Sequence, residues 1–394
     1  MNGKIEKIYE KLCVTSVFGE VLKTPLFGAF FAFCESQGAE KRRAYARFVG
    51  LVYEGGGNLT ELTYRLVCED ENAYVRTAAR GVQPNVKMEA AAKRELAVFS
   101  EFGALALGDF ASALNERAEN LPAFDSFVKD MVGAYGQRIG AIDKYGYGVF
   151  SSHGMFRLSD ERTIEPIISA DKSGLTNFIG YEAEREKIVE NTLAFLEGGP
   201  AANTLLCGDA GTGKSSTVKA IANEFFEKGL RLIELRKDQL RYLPLVMGRI
   251  EGNPLKFIIF VDDLSFAAAG DDFGTLKAAL EGSASARADN AVIYATSNRR
   301  HIVKERFSDR DGDDVHQNDT LQETLSLADR FGLTVLYQKP DKRLYLKIAR
   351  ELARRKGVEV GESFDVEAEA FALRKGNRSA RCAGQFVESI LRRK

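Results

Sequence analysis

The sequence predicts an α/β protein in which helices cover both faces of a parallel sheet, with a helical region before the sheet and a small helical region after it. Short apolar runs such as Leu230–Leu235 and Phe257–Val261 alternate with segments of helical spacing, which is typical of a parallel sheet buried between helices. In the N-terminal part, by contrast, apolar residues recur at helical spacing, for example at Tyr45, Phe48 and Val49. We therefore expect an αβα sandwich with helical regions on either side of it in the chain.

Composition sets limits on the class of protein. The chain has 394 residues, 45% hydrophobic and 28% charged, which is ordinary for a globular protein of two or three domains. The net charge is −1 and the pI about 6.4, so only a local basic patch would favour a nucleic-acid partner. The five cysteines show no CxxC spacing and only three histidines are present, which argues against a zinc site and favours a reduced, cytoplasmic protein. The apolar run from Leu26 to Cys34 is too short to span a bilayer, and the N-terminus lacks a signal-peptide pattern.

The most specific motif lies between a predicted strand and a predicted helix. Residues 208–215 read GDAGTGKS and match G-x-x-x-x-G-K-[ST] in full, after the apolar Leu205–Cys207. The glycines allow backbone N–H groups to converge on phosphate oxygens, and the helix N-terminus adds partial positive charge. We expect Lys214 to reach the β- and γ-phosphates and the Ser215 hydroxyl to bind Mg²⁺. An ordinary glycine-rich turn is the alternative, and the flanking strand and helix argue against it.

The nucleotide is expected to contact the whole loop and the first turn of the following helix. The predicted contact residues are Gly208, Asp209, Ala210, Gly211, Thr212, Gly213, Lys214, Ser215 and Ser216.

Two later strands end in polar residues that suit phosphate chemistry. Asp262 and Asp263 follow the run Phe257–Val261, and Asn298 follows the run Ala291–Thr296. The carboxyl ends of parallel strands face the ligand site, so we expect Asp262 to hold Mg²⁺, directly or through water, and Asp263 to polarise the attacking water. Asn298 would orient that water against the γ-phosphate. A simple polar turn is the alternative interpretation for each position.

Changes in composition divide the chain into four regions. We expect a helical N-terminal domain at 1–144, a hairpin-like linker at 145–174, a nucleotide-binding core at 175–338 and a helical lid at 339–394. The N-terminal region carries no catalytic constellation, and we interpret it as a domain that binds or scaffolds a protein partner. In the linker, His153 has no Asp or Cys spaced as a partner, which favours an ordinary turn histidine.

The order and spacing of these motifs resemble the AAA+ ATPase superfamily. Five segments are similar to an uncharacterised bacterial family of predicted AAA+ ATP-binding proteins: NTLLCGDAGTGKSSTVKA, VDDLSF, LKAALEG, YATSNRRH and SLADRFGL. That family is known mainly as a domain of unknown function, and its core resembles replication initiators and helicase loaders. The resemblance covers residues 145–394 and implies a P-loop NTPase fold with strand order 5-1-4-3-2. It also implies ATP and Mg²⁺ as ligands and a homo-oligomeric assembly.

The resemblance also implies roles for individual residues. Asn298 would be the first sensor, Arg381 the second sensor, and Arg330 a finger that reaches the ATP of a neighbouring subunit. Arg306 and Arg310 compete with Arg330 for that role, and the alternative for Arg330 is an ion pair with Asp329. The residues that would line the adenine pocket are Phe178, Ile179, Gly180 and Tyr181.

Two departures from the pattern concern catalysis. Many AAA+ members carry Glu where this chain has Asp263, which is one methylene shorter, and the family often has Arg at the position of Ala210. We expect Mg²⁺-dependent ATP hydrolysis coupled to a conformational change on an unknown client, bound through the N-terminal domain. The alternatives are a non-hydrolysing nucleotide-dependent switch or scaffold, and a DNA-acting protein of the helicase-loader type, although the overall charge does not support a nucleic-acid partner.

Overall fold

The computed structural model describes residues 3–169, 173–264, 271–280, 288–298 and 330–392. The chain forms two compact units. The first comprises Met1–Ser152 with Gly252–Leu255, and the second comprises His153–Glu251 with Lys256–Lys394. The predicted finger candidates Arg306 and Arg310 and the proposed ion-pair partner Asp329 lie outside the described residues.

The first unit is helical, as the spacing of its apolar residues predicts. Several helices begin where an Asn or Asp side chain accepts a backbone N–H: Asn58 accepts from Glu61 and Asn72 accepts from Val75. Such caps satisfy N–H groups that have no partner within the helix. The helices are α1 (Lys4–Leu12), α2 (Pro25–Glu35), α3 (Gly38–Glu54), α4 (Leu59–Glu69), α5 (Ala73–Ala79), α6 (Val86–Gly103), α7 (Leu107–Leu114), α8 (Met131–Gly140) and α9 (Ile142–Tyr145).

A cluster of phenylalanines fills the core of this unit. Phe27 stacks on Phe102 with ring centroids 4.5 Å apart, and Phe30 meets the same ring edge-on at 4.8 Å. Phe48 and Phe110 extend the cluster at 5.1 Å, and all five rings are fully buried. Burial of each ring contributes about 1.5–3 kcal/mol, and favourable ring pairs add to that value. These contacts fasten α2, α3, α6 and α7 to one another.

A buried carboxylate organises the segment between α1 and α2. Glu95, on α6, is 2% exposed. Its oxygens accept hydrogen bonds from the backbone N–H groups of Ser16, Val17 and Phe18 at 2.9–3.0 Å and from the Ser16 hydroxyl at 2.8 Å. Because a buried charge is costly unless it is fully hydrogen-bonded, this arrangement fixes the backbone of residues 16–18 against α6.

The second unit contains a seven-stranded sheet with helices on both sides and a helical lid. Its elements in chain order are β1 (Met155–Leu158), β2 (Ile164–Pro166), α10 (Glu182–Leu196), β3 (Thr204–Gly208), α11 (Lys214–Glu224), β4 (Leu230–Leu235), α12 (Leu243–Ile250), β5 (Lys256–Val261), α13 (Asp271–Leu280), β6 (Ala291–Ser297), β7 (Leu333–Tyr337), α14 (Lys342–Arg355), α15 (Phe364–Arg374) and α16 (Ala380–Leu391).

The strand order is β2-β1-β4-β5-β6-β3-β7. The five core strands β3 to β7 are parallel to their neighbours, and their order confirms the predicted 5-1-4-3-2 arrangement of a P-loop NTPase fold. β3 lies between β6 and β7, so the loop that follows it emerges at the carboxyl edge of the sheet, one strand in from the β7 end. This is the position at which open α/β sheets bind ligands.

The predicted linker region supplies the edge of this sheet. β1 and β2 form an antiparallel hairpin, and β1 pairs in parallel with β4, with Met155 opposite Leu232. The sequence predicts a hairpin with strands at Val149–Phe150 and Met155–Leu158. The second prediction is confirmed, but the first is wrong, because Val149 and Phe150 lie in a 3₁₀ segment at Gly148–Ser151 and the partner strand is Ile164–Pro166. An unpaired β4 would expose a row of backbone polar groups, and the hairpin covers them.

One predicted helix is shorter than the sequence indicates. Apolar spacing predicts a helix over Arg236–Ile250 with an internal proline. The structure instead has a 3₁₀ segment at Lys237–Tyr242 and then α12, with Pro244 in its first turn. The proline ring has no N–H to donate, so it is accommodated only where a helix begins.

The lid packs around its own small core. Tyr345 and Ile348 of α14, Phe364 of α15 and Phe386 of α16 are buried together. α16 begins after Ser379, whose hydroxyl accepts the backbone N–H of Cys382 at 3.1 Å, as expected from the sequence. In the described part of the chain, no single helix has both the length and the apolar character to cross a membrane. Only α6 and α7 taken together meet that test, and they are bent by 78°.

Substitution of Glu95 should test whether this carboxylate stabilises the first unit. Glu95→Ala leaves the backbone N–H groups of Ser16, Val17 and Phe18 without this acceptor, and the last of them is buried, so we expect the free energy of unfolding to fall by about 1–3 kcal/mol. Glu101, on the same helix, pairs with Lys11 at 2.7 Å, and both side chains are nearly half exposed. Glu101→Ala is therefore the matched control and should change stability by about 0.5 kcal/mol or less. Urea unfolding of both variants measures the difference, and equal midpoints would contradict this role of Glu95.

Candidate nucleotide-binding site

The glycine-rich loop has the backbone that its sequence predicts. Gly208, Gly211 and Gly213 have φ angles of 130°, 77° and 94°, in the region that favours glycine. At Gly208 a Cβ atom would lie 2.1 Å from the carbonyl oxygen of Tyr337 on β7. The Asp209 N–H donates to that same oxygen at 3.1 Å. The pairing of β3 with β7 therefore fixes the backbone at the start of the glycine-rich loop.

Lys214 begins α11 and turns back into the loop. Its side chain is almost wholly buried. Its ammonium donates to the carbonyl oxygens of Gly208 and Asp209 at 3.0 and 2.7 Å and to Oδ1 of Asn298 at 3.0 Å. Burial lowers the pKa of Lys214, and the nearby Asp209, Asp262 and Asp263 oppose that shift. The cation is thus held where the loop N–H groups converge.

The two predicted metal ligands lie in contact. The Ser215 hydroxyl donates to Oδ1 of Asp262 at 2.6 Å, and the Thr296 hydroxyl donates to the same oxygen at 2.6 Å. Thr296 also accepts the backbone N–H of Asp263 at 2.8 Å. A hydroxyl and a carboxylate suit Mg²⁺, which prefers oxygen ligands and takes the rest of its shell from water and phosphate.

Thr296 was not among the predicted site residues. Val261 of β5 lies opposite Ala295 of β6 in the sheet, so the next residues, Asp262 and Thr296, are neighbours across two strands. The sequence feature that could have indicated this contact is the Thr296 hydroxyl, which follows the apolar residues of β6. Only the register of β5 and β6 shows that this hydroxyl lies beside Asp262.

Asp263 lies at the centre of a chain of polar contacts. Its backbone is left-handed, with φ of 53°. Its Oδ1 accepts from Nδ2 of Asn298 at 2.7 Å, and its Oδ2 lies 3.3 Å from the ammonium of Lys237. The structure therefore brings Lys214, Asn298 and Asp263 together, as predicted, and adds Lys237. Because the Lys237 and Asp263 side chains are 43% and 58% exposed, their ion pair is screened by solvent and weak.

Lys237 was also missed by the sequence analysis. It lies two residues after β4, and Asp263 lies two residues after β5, which is the strand next to β4. The contact follows from strand adjacency, which the linear order of motifs does not give.

The predicted adenine-contact segment lies against the lid. Gly180 and Tyr181 both have positive φ angles, 78° and 59°, and a Cβ at Gly180 would lie 2.7 Å from Cδ1 of Leu344 on α14. The Tyr181 hydroxyl donates to the carbonyl of Gln338 at 2.6 Å. Ile179 packs on the core of the lid. Phe178 and Ile179 also line a cavity with residues of α14.

Arg381 lies beside the glycine-rich loop. Its backbone N–H donates to the carbonyl of Gly211 at 3.4 Å. A Cβ at Gly211 would lie 3.2 Å from Oγ of Ser379 and 3.3 Å from Cβ of Arg381. The start of α16 therefore packs directly on the loop, and the structure places Arg381 with the other predicted nucleotide-contact residues.

Arg330 is far from this group. It precedes β7, in which Leu333 lies opposite Thr204 while Tyr337 lies opposite Gly208. Arg330 is thus at the amino end of an edge strand, at least the length of that strand, roughly 13 Å, from the loop. It does not join Lys214 and Asp263 within one chain.

Comparison with known proteins supports an assignment to a family. Residues 151–394 match the model of a family described as "Protein of unknown function (DUF815)". A search of curated proteins found no match.

Two of the similar solved structures come from Thermotoga maritima. The RuvB Holliday junction branch migration motor has 15% identity and a TM-score of 0.38, over 56% of this chain and 64% of that one. A mutant of RuvB has 16% identity and a TM-score of 0.40, over 55% and 64%. The alignment thus spans 64% of the length of each RuvB chain.

The family match includes every predicted site residue, from Phe178 to Arg381. It confirms the sequence-based assignment to an uncharacterised family. This protein belongs to the DUF815 family.

Proposed function

We propose that this protein binds Mg·ATP and hydrolyses it to drive a conformational change. The observation that carries the proposal is the convergence of Lys214, Asp262, Asp263 and Asn298 at the carboxyl edge of the sheet. These residues come from α11 and from the ends of β5 and β6, and they surround the glycine-rich loop. A lysine, two carboxylates and an amide around such a loop suit phosphoryl transfer better than any other common reaction.

Binding would begin at the loop. The γ-phosphate would take over the hydrogen bonds that the ammonium of Lys214 now gives to the carbonyls of Gly208 and Asp209. Arg381 would add positive charge from the lid side, because its backbone already contacts Gly211. The adenine would lie by Ile179 and Tyr181, where the segment before α10 meets the lid.

Ser215 and Asp262 are the residues that would hold Mg²⁺. Their oxygen atoms are 2.6 Å apart, and the Ser215 hydroxyl would turn its proton away from Asp262 to present a lone pair to the metal ion. Bound there, Mg²⁺ supplies positive charge to the β- and γ-phosphate oxygens. Thr296 would keep the Asp262 carboxylate in place through its hydrogen bond.

Asp263 would accept the proton of the attacking water, and Asn298 would orient that water. Each oxygen of Asp263 has one partner, Asn298 or Lys237, and opening one of these contacts would give the water fuller access to the carboxylate. The weak Lys237 contact is the easier one to break. Positioning and charge stabilisation would account for most of the rate.

Assembly would complete the site. Arg330 lies at the opposite end of the sheet from its own glycine-rich loop, so it could act only on the nucleotide of a second copy. An arginine finger supplied in trans contributes about 10³–10⁵ in rate.

The helical first unit would bind a protein client. Co-purification with the first unit as bait would identify that client. The five cysteines are free thiols, which suits the reduced, cytoplasmic setting we propose.

A non-hydrolysing nucleotide switch is the second candidate function. The engagement of both Asp263 oxygens and the short side chain of that residue favour it. Steady-state ATPase assays at several protein concentrations separate the two functions, because a switch binds ATP without turnover.

Lys214→Ala tests the phosphate site. Loss of the point charge should abolish tight ATP binding while the fold stays intact, since the first turn of α11 does not need the ammonium. Calorimetric titration with Mg·ATP measures this. The control is Lys228→Ala, an exposed lysine just beyond the same helix, which should bind like the wild type. Wild-type affinity in Lys214→Ala would remove the basis for the phosphate site.

Asp263→Asn tests the proposed base. The amide keeps the shape but cannot accept the proton of the water, so turnover should fall by about 10²–10⁴ while Mg·ATP binding is retained. The nearby exposed Asp238 provides the control, and Asp238→Asn should hydrolyse ATP at the wild-type rate. If Asp263→Asn turns over normally, another group is the base.

Arg330→Ala tests assistance in trans. The variant should bind ATP normally and hydrolyse it poorly. Mixing it with Lys214→Ala should restore activity, because some mixed interfaces join an intact phosphate site to an intact Arg330. The wild-type specific activity should rise with protein concentration. Concentration-independent activity together with no rescue on mixing would indicate a monomeric ATPase or switch.

A further inference from the structure

Helix α14 of the lid has two chemically opposite faces. Tyr345, Ile348 and Ala349 are buried in the core of the lid. The outward side is strongly basic, since α14 contains six basic residues and one acidic residue. In a chain whose net charge is −1, this helix is a marked local concentration of positive charge.

Four of the basic residues form a line, which we call the basic ridge: Arg343, Lys347, Arg350 and Arg354. Their spacing of four, three and four residues places them on one face of the helix. All four are exposed. At 1.5 Å per residue the ridge is about 16 Å long, with roughly one cation per helical turn.

The basic ridge borders a groove of about 750 Å³. All four ridge residues line it, and Phe178 and Ile179 form part of its other wall. Arg355 donates to the carbonyls of Asn177 and Thr176 at 2.8 and 3.2 Å. These bonds fix the segment that carries Phe178 beside the ridge, so an aromatic ring lies next to the line of cations.

Acidic side chains face the ridge, but their ion pairs with it are exposed. Glu182 lies 3.2 Å from Lys347, Glu351 lies 3.8 Å from Arg354 and 3.2 Å from Arg355, and Asp365 pairs with Arg350. Asp341 also lines the groove. The ridge residues in these pairs are 48–71% exposed, and such surface pairs contribute little to stability. A ligand with a regular series of negative charges could therefore displace the acidic side chains at little cost.

We propose that the basic ridge binds the phosphate backbone of a nucleic-acid strand. Three of its four residues are arginines, whose planar guanidinium groups form paired hydrogen bonds with phosphate. Cations spaced along about 16 Å match a repeating phosphate chain better than a single small anion. Phe178 offers a surface on which a base can stack, which is typical of binding without sequence preference. Phe178 and Ile179 are also predicted to line the adenine pocket, so the groove and the nucleotide site share this segment. Binding at the ridge does not depend on the proposed hydrolysis.

Salt-dependent titration of the full-length chain tests the proposal. A fluorescein-labelled 20-nucleotide single strand is titrated with protein at 50–200 mM salt, without ATP, and anisotropy is measured. Each phosphate contact on a single strand contributes about 0.7 to the slope of log affinity against log salt concentration. Four contacts predict a slope of about −3. The double variant Arg343→Ala with Arg354→Ala should have a slope near −1.4 and bind roughly tenfold more weakly at 100 mM salt.

The control removes the same charge from the first unit. Arg43 and Arg47 of α3 are exposed and one helical turn apart, and their double alanine variant should retain the wild-type slope and affinity within twofold. Thermal unfolding of both double variants checks that each is folded. Equal binding by the ridge variant and the wild type would overturn the proposal, as would equal weakening of both double variants. Competition by poly-glutamate as strong, per charge, as by unlabelled oligonucleotide would indicate an acidic protein partner and would also overturn it.

Discussion

The hydrogen bonds that Asp262 accepts from Ser215 and Thr296 are the interaction on which the rest of the site depends. One carboxylate oxygen joins the start of α11 to the ends of β5 and β6. Thr296 then fixes the backbone of Asp263, which sets the position of the proposed base. If this junction were lost, the glycine-rich loop and the proposed catalytic residues would no longer have a common frame. The parallel register of β5 and β6 makes the junction possible.

Charge within the site is balanced locally. A buried ammonium is costly unless it is hydrogen-bonded, and Lys214 meets this requirement with two backbone carbonyls and the Asn298 side chain. Burial nonetheless lowers the pKa of Lys214 because it disfavours the charged form. A phosphate bound beside the ammonium would stabilise that charged form. Asp263 is held in a similar way between Asn298 and Lys237. Phosphate binding would change the partners of Lys214 and Asn298 together, and through them those of Asp263.

The lid is tied to the rest of the second unit by two close approaches of glycine, one in the segment before α10 and one in the glycine-rich loop. Gly180 faces Leu344 of α14, and Gly211 faces Ser379 and Arg381 at the start of α16. A side chain at Gly180 would collide with the lid and one at Gly211 would crowd it. The contact at Gly211 makes the lid position sensitive to what the glycine-rich loop binds. The basic ridge is part of the same lid, on the exposed side of α14. Nucleotide and nucleic acid would then both act on one small helical domain, and both would contact the segment at Phe178 and Ile179.

The sequence by itself determined the fold class and the local motifs of the candidate site, and its resemblance to a known family implied the strand order. Gly208–Ser215 and Asp262–Asp263 are local patterns whose backbone and strand-end positions follow from neighbouring residues, and the structure bears out those local features. Only the tertiary structure decided which of these residues touch. Thr296 and Lys237 enter the site because of strand register and strand adjacency, and the β1–β2 hairpin extends the sheet because β4 has a free edge. The helical spacing of the cations on α14 is visible in the sequence. The other residues of their groove, including the aromatic Phe178, come from a segment more than 160 residues earlier in the chain. The physical reason is common to all these cases: contacts between distant segments depend on how strands pair and helices pack, which local residue patterns do not encode.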